Sequence, residues 1–239
     1  MRLAVIALEG RLMKETAILE GNRRSRPGSK GIARRETIMD AAEQLFAEKG
    51  YYGASMRDIS QQSGAALGLI THHFATKEAL FRDVVDRKRD ALIALIAQSI
   101  DAAESGPNPS ASGLIRAFLH PFLQVSADET SPLHHYVRLT SHLMSNYRDP
   151  ELTEPLQRLR PVSDLFTDAL RRRLGETDDG DFLSAVYIIE SAMIFMTQDS
   201  SFIRDLTDDR VSKTDLDQFV DRAARFFAGG IAALGQGAD

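Results

Sequence analysis

Basic side chains beside a helix-turn-helix spacing are the part of this sequence best equipped for chemistry. Arg57 and Lys77 lie within the segment 55–80, SMRDISQQSGAALGLITHHFATKEAL, and Arg23, Arg24, Arg26, Lys30, Arg34 and Arg35 form a run ahead of it. Lys and Arg neutralise phosphates, and that neutralisation underlies the affinity of proteins for DNA. The run sits among Ser, Gly and Pro, so alone it reads as unstructured. It is either an arm that tracks a minor groove or the phosphates, or a solvated linker. The charge balance agrees with DNA binding by the N-terminal part and leaves both readings of the run open. Residues 1–89 carry 16 Lys+Arg against 11 Asp+Glu, while residues 90–239 carry 13 against 23, so a basic N-terminal part precedes an acidic remainder in a chain of net charge −5. Such a field turns the basic end towards DNA.

Other chemistries find little support. Metal binding would draw on His120, His134, His135 and His142, but His135 and His142 stand about 10 Å apart along a helix, too far to share one ion. There is no HExxH motif and no cysteine. Gly64 to Gly68 lacks the GK[ST] of a phosphate loop, and no serine lies in G-x-S-x-G. Asp178-Asp179 and Asp208-Asp209 read as solvated loop charge. The chain is therefore expected not to be an enzyme and to need no cofactor and no metal.

Helices must position these side chains. Ile38, Ala41, Ala42, Leu45 and Phe46 recur at i, i+3, i+4, i+7 and i+8, the stripe of a helix packed on one side, and Gly50 ends it. Ser55 with Asp58 three residues later is a capping box, and Ile59 points inward. Gly64 stops that second helix, because glycine alone takes the left-handed conformation without strain. A third short helix carries Ile70 and Phe74 as its buried face. Thr76 caps the next helix, with Glu78 in its first turn. A helix, a glycine turn and a second amphipathic helix form a helix-turn-helix.

Residues 34 to 80 resemble the N-terminal domain of the TetR family of transcriptional regulators. The resemblance is carried by Ala41-Ala42 with Leu45-Phe46, Gly50-Tyr51, Ser55, Arg57-Asp58-Ile59, Ser63-Gly64, Ile70, His72-His73-Phe74 and Lys77-Glu78-Ala79-Leu80. It implies a DNA-binding head whose third helix, about Ala66 to His73, enters a major groove. On that reading Arg57, Thr71, His72 and Lys77 hold phosphates or backbone. Ser55, Leu67 and Leu69 lie near bases, Met56 and Ala66 also belong to the DNA-binding surface, and Arg34 and Arg35 adjoin the head. Three departures stand out: Ala65-Ala66 replaces the usual valine and capping serine, Thr71 the usual tyrosine, and Leu67 and Leu69 occupy positions that are often polar. Leucine can touch a thymine methyl but cannot hydrogen-bond a base edge. A helical module that keeps this shape without a DNA function is the rival reading.

The expected architecture is all-α, with a flexible basic extension (1–32), a helix-turn-helix head (33–80) and a helical effector-binding and dimerisation bundle (81–239). Helices are expected over Lys77–Ala103, 112–127, 132–147, 151–174, 180–205 and 213–234. Pro121 should kink or interrupt the first of the later ones, Pro155 and Pro161 should divide 151–174, and Thr214 with Asp217 should cap the last. The segment 104–112 reads as a loop. Apolar residues surround 182–196 and stripe 216–234, surfaces that pairing across a two-fold axis would bury. The resemblance likewise implies dimerisation through about 180–234. The candidate effector pocket draws on Phe118, Phe122, Leu139, His142, Leu143, Phe166, Tyr187 and Met193, with His142 as polar anchor. The C-terminal half is similar to the fatty-acid- and acyl-CoA-responsive branch of the family, which implies a hydrophobic, lipid-like effector. No secretory signal or membrane-spanning stretch is read, so the expected compartment is the cytoplasm. The first residues are either a frayed extension or precede a true start at Met13.

Overall fold

The computed structural model describes residues 29–146, 148–198, 202–211 and 215–234. Ten helices and no strand occur among the described residues. They are α1 (Ser29–Gly53), α2 (Met56–Ser63), α3 (Leu67–His73), α4 (Lys77–Glu104), α5 (Ala111–Ala127), α6 (His134–Ser145), α7 (Pro150–Leu174), α8 (Asp179–Gln198), α9 (Phe202–Leu206) and α10 (Leu216–Leu234). Arg23, Arg24, Arg26, the start at Met13 and the Thr214 cap lie outside the described residues. Compactness divides the chain between Thr37 and Ile38, within α1, so residues 38–239 form one unit that holds both the three-helix head and the bundle.

Two apolar cores organise that unit. The first gathers Ile38, Ala42, Leu45 and Phe46 of the expected α1 stripe with Ile59, Ala65, Ile70 and Phe74 from the helix-turn-helix. It continues into Leu80, Phe81, Val84 and Val85 of α4, and takes in Leu139, Leu143, Leu152 and Leu159 from α6 and α7. The second gathers Leu92, Ile96 and Ile100 of α4 with the inward faces of α5, α7, α8 and α10. Helix α4 therefore has its first three turns in one core and its later turns in the other. At 28 residues it runs about 42 Å, by the 1.5 Å rise per residue of an α-helix.

Glycine sets the joints. Gly50 breaks α1 with φ 67° and Gly64 closes α2 with φ 65°, both left-handed values that a side chain would strain. The prolines do not interrupt their helices. Helix α5 runs through Pro121, and α7 runs unbroken through Pro155 and Pro161. In each case buried neighbours outweigh the lost backbone hydrogen bond: Phe118, Leu119 and Phe122 around Pro121, and Leu152, Leu159 and Val162 along α7. Of the helix expected over 180–205, α8 covers Asp179–Gln198 and α9 covers Phe202–Leu206, and residues 199–201 lie outside the described residues. Asp215 supplies a cap for α10, its Oδ1 accepting from the Gln218 N–H at 3.1 Å. Asp217 instead turns to α5, where it pairs with Arg116 and bonds His120 Nε2 at 3.0 Å.

Charged groups fasten α4 to both sides. Glu43 of α1, whose side chain is 4% exposed, receives Arg87 and Lys88 of α4, each at 2.6 Å. Arg87 also binds Asp40 at 2.8 Å, and Lys88 Nζ donates to the Pro132 carbonyl at 2.6 Å. One residue earlier, Asp86 pairs with Arg158 of α7. The Tyr136 hydroxyl donates to the Val85 carbonyl from within the core, and burial pushes its pKa up.

Candidate functional site

The helix-turn-helix is held by side-chain caps on one side of its turn and by none on the other. Ser55 Oγ accepts from the Asp58 N–H at 3.2 Å, and Asp58 accepts from the Ser55 N–H at 2.9 Å, the reciprocal capping box. The Ser55 bonds hold the Asp58 carboxyl below the usual carboxylate range. At the turn, Ser60 Oγ donates to the Ala65 carbonyl at 2.7 Å and Ser63 Oγ accepts from the Ala65 N–H at 3.3 Å. Helix α3 then starts at Ala66 with no side-chain cap. The two serines before the glycine thus tie the turn that the usual capping serine after it would otherwise secure.

Burial sorts α3 into two faces. Ile70 is buried, Leu69 packs against the head core and His73 is half-buried, whereas Leu67, Gly68, Thr71 and His72 are exposed. Those four occupy i, i+1, i+4 and i+5, one continuous strip of a helix. Leu67 is an unusual member, an apolar side chain 39% exposed at the start of the strip. Thr71 Oγ1 donates to the Leu67 and Gly68 carbonyls at 3.2 and 3.1 Å, so its hydroxyl is engaged on its own helix. From α2, Arg57 is exposed and Met56 is half-buried against the head core.

Lys77 sits differently from the other cations. Its Nζ donates to the carbonyls of Tyr51 and Ala54 at 3.1 and 3.3 Å and lies 4.1 Å from the centre of the Tyr51 ring. Those bonds satisfy carbonyls at the end of α1, so the ammonium serves as a cap there as well as a positive charge at the head surface. The structure therefore brings Ser55, Arg57, Ala66, Leu67, Thr71 and His72 to the surface of the helix-turn-helix and turns Leu69 inward. Arg34 is exposed, and Arg35 lies 3.9 Å from Glu36; both belong to the 1–37 unit.

The candidate pocket residues fall into three places. Phe118, Phe122, Phe166 and Met193 are buried in the bundle core, where the Phe118 and Phe166 rings stack 4.2 Å apart. Leu139 and Leu143 belong to the head core. His142 joins them along a cavity of about 20 Å³ whose other walls include Phe46, Tyr51, Tyr52, Phe81 and Leu152. That volume is near one water molecule. Burial lowers the His142 pKa, and Arg138 lowers it further. Tyr187 stands apart, 73% exposed on α8. It borders a groove of about 340 Å³ between α6, α7 and α8, with Met144, Leu156, Leu159, Ser163, Glu190 and Ile194.

Sequence reasoning did not single out Glu43, Arg87, Lys88, Ser60 or Glu190. Glu190 carried a readable signal as the lone acid of YIIESAMIFM. Glu43 carried one too, since it continues the inward stripe of α1 as the neighbour of Ala42. Helix α8 is long and apolar enough to cross a membrane by length and composition alone. Its inner face, Phe182, Ala185, Val186, Ile189 and Met193, lies in the bundle core, while Leu183, Tyr187, Ile188 and Phe195 face outward.

Comparison with known proteins matches both halves. The family model "Bacterial regulatory proteins, tetR family" covers residues 38–84, and "Tetracyclin repressor-like, C-terminal domain" covers 116–230. The HTH-type transcriptional repressor AcnR of Corynebacterium efficiens is 43% identical over 54 residues, 23% of this chain and 29% of that protein. The match thus spans under a third of that relative's length. Among solved structures, the regulator FadR of Bacillus subtilis in complex with stearoyl-CoA superposes with a TM-score of 0.56 at 20% identity, over 82% of this chain and 98% of that one. The multidrug binding protein EbrR complexed with ethidium does so with a TM-score of 0.51 at 20% identity, over 81% and 97%. At such identities the likeness is one of fold.

Proposed function

This chain belongs to the TetR family of transcriptional regulators, and from that premise we propose that it is a homodimeric repressor that an effector releases from its operator. The observation that carries the DNA-binding half is the exposed strip Leu67, Gly68, Thr71 and His72 on α3, with Arg57 alongside on α2. Ile59, Ala65, Ile70 and Phe74 hold α3 from behind at 0–3% exposure, so the strip is presented rigidly. A recognition helix reads base edges from one face, and a fixed face is what a major groove requires. Arg57 and His72 would touch phosphates, Leu67 a thymine methyl, and Ser55 and Ala66 the edges of the contact. Lys77 adds charge while capping α1, and Arg34 and Arg35 are further candidate contacts to the DNA backbone. A head over 33–80 and a body over 81–239 is the working division, acting in the cytoplasm.

Dimerisation has a geometric motive. Two recognition helices reach successive major grooves only when held about 34–36 Å apart. The outward residues Leu183, Tyr187, Ile188 and Phe195 of α8 and Phe226 of α10, all more than half exposed, supply an apolar surface for a two-fold contact through about 180–234. Release would pass through α4. Its later turns belong to the core that an effector would perturb, and its first turns belong to the head core, so a shift of one end re-aims the other. An effector that fits best when the heads are spread would lower DNA affinity by population shift. The stearoyl-CoA of FadR and the apolar body favour a hydrophobic, lipid-like effector.

Fluorescence anisotropy with the duplex flanking the protein's own gene tests the reading. Saturable binding that weakens steeply with salt is expected. Arg57→Ala should weaken every sequence and flatten the salt slope by about one unit if Arg57 neutralises one phosphate. Indifference of binding to both salt and Arg57→Ala would refute the assignment.

A further inference from the structure

We infer that the head reads its operator through the C5 methyl groups of pyrimidines, with Leu67 and Thr71 as the reading side chains. This deepens the operator reading and rests on it. Thymine and 5-methylcytosine carry that methyl at the same place in the major groove. The protein is then sensitive to cytosine methylation as well as to sequence.

The fate of the hydroxyl protons carries the inference. Ser55 Oγ donates to Asp58 Oδ2 at 2.6 Å, Ser60 Oγ to the Ala65 carbonyl, and Thr71 Oγ1 to the Leu67 and Gly68 carbonyls. A hydroxyl has one proton to give. While these bonds stand, none of the three can donate to a phosphate or to the acceptor edge of a purine. With its oxygen turned back on its own helix, the exposed Thr71 offers the groove its methyl. Four residues earlier on the same face, Leu67 offers a larger apolar surface, 39% exposed. Gly68, beside them in the strip, adds no bulk. Open space lies where its Cβ would stand, and its φ is not left-handed, so nothing within the head calls for glycine there. A bare backbone at that point lets the helix approach the base edges closely. Of the four residues in the strip, only His72 keeps a polar side chain for DNA. Apolar contact with a C5 methyl is the base readout that such a strip allows.

Anisotropy titrations of the full chain use the duplex flanking its own gene, with thymines replaced one at a time by deoxyuridine. Each replacement removes one methyl and leaves every hydrogen-bonding edge in place. At least one position per half-site should lose about fourfold in affinity, the ratio that about 0.8 kcal/mol for one buried methyl gives. At that position 5-methylcytosine paired with guanine should bind about fourfold tighter than cytosine paired with guanine. A variant with both Leu67→Ala and Thr71→Ser, the second removing a methyl and keeping the hydroxyl, should bind the thymine and deoxyuridine duplexes alike. Equal affinity of the wild type for every thymine and deoxyuridine duplex would overturn the inference. So would a deoxyuridine loss that persists in the double variant, or 5-methylcytosine no better than cytosine. In each of those cases, binding that still weakens steeply with salt leaves the operator reading intact. Failure of the wild type to bind the flanking duplex at any salt concentration would sink both.

Discussion

Glu43→Gln removes one charge from the cluster that joins α1 to α4, and its cost can be worked from the geometry. Deleting one partner of a buried ion pair typically costs about 3–5 kcal/mol, because the other charge is left uncompensated. Here the stranded cations are not fully buried, with side-chain exposures of 15% for Arg87 and 25% for Lys88. Each also keeps an acceptor, Asp40 at 2.8 Å for Arg87 and the Pro132 carbonyl at 2.6 Å for Lys88. Both effects reduce the penalty, so the expected loss is about 2–3 kcal/mol. For a chain of this length that corresponds to a fall in Tm of roughly 5–10 °C. Denaturant unfolding at fixed protomer concentration is the assay, since dimerisation would couple stability to concentration. Lys88→Met should then cost less in the Glu43→Gln background than in wild type, by about 1 kcal/mol or more, because the two share one contact. A Glu43→Gln loss below about 0.5 kcal/mol, the usual size for a surface substitution, would refute the view that this cluster fastens the linker helix.

Other perturbations follow from the same structure. Ala66→Ser should supply the missing cap of α3 and raise stability by about 0.5–2 kcal/mol, read as a higher denaturation midpoint. Leu143→Ala should cost about 2–5 kcal/mol by opening a cavity in the head core, and because that core includes α6 it should also weaken operator binding. Burial lowers the pKa of His120, with Arg116 adding and Asp217 opposing, and burial and Arg138 lower that of His142. The unfolded chain therefore takes up protons first as pH falls. Stability should be full above about pH 6.5, the ordinary histidine value, and decline below it. The decline between pH 7.5 and 5.5 should shrink in a His120→Gln, His142→Gln double variant, and an unchanged slope would contradict the burial of neutral rings.

Local signals read well where side-chain pattern and backbone agreed. The α1 stripe, the Ser55 and Thr76 caps and the left-handed Gly50 and Gly64 all specify the head through neighbours in sequence. Long-range packing read poorly. Leu139, His142 and Leu143 have the apolar-with-one-polar character of a pocket wall, yet they pack beneath the head, because helical periodicity tells which residues share a face and not which core that face meets. Leu67 and Leu69 look alike in sequence and take opposite sides of α3. Pro155 and Pro161 misled for a related reason: local geometry favours a break, and the buried stripe on either side keeps α7 continuous. The Glu43 cluster joins positions more than forty residues apart, a separation no spacing rule reaches.

The chain contains no cysteine, so single introduced thiols report directly on the surface that meets DNA. Alkylation rates of Leu67→Cys on α3 and of Leu183→Cys on α8 should be compared with and without the flanking duplex. The duplex should slow the Leu67→Cys reaction about tenfold or more, as burial of that position against DNA with an occupancy of about 90% would, and leave Leu183→Cys unchanged. Equal alkylation of Leu67→Cys in the free and DNA-bound protein would contradict the claim that the outer strip of α3 lies in the groove.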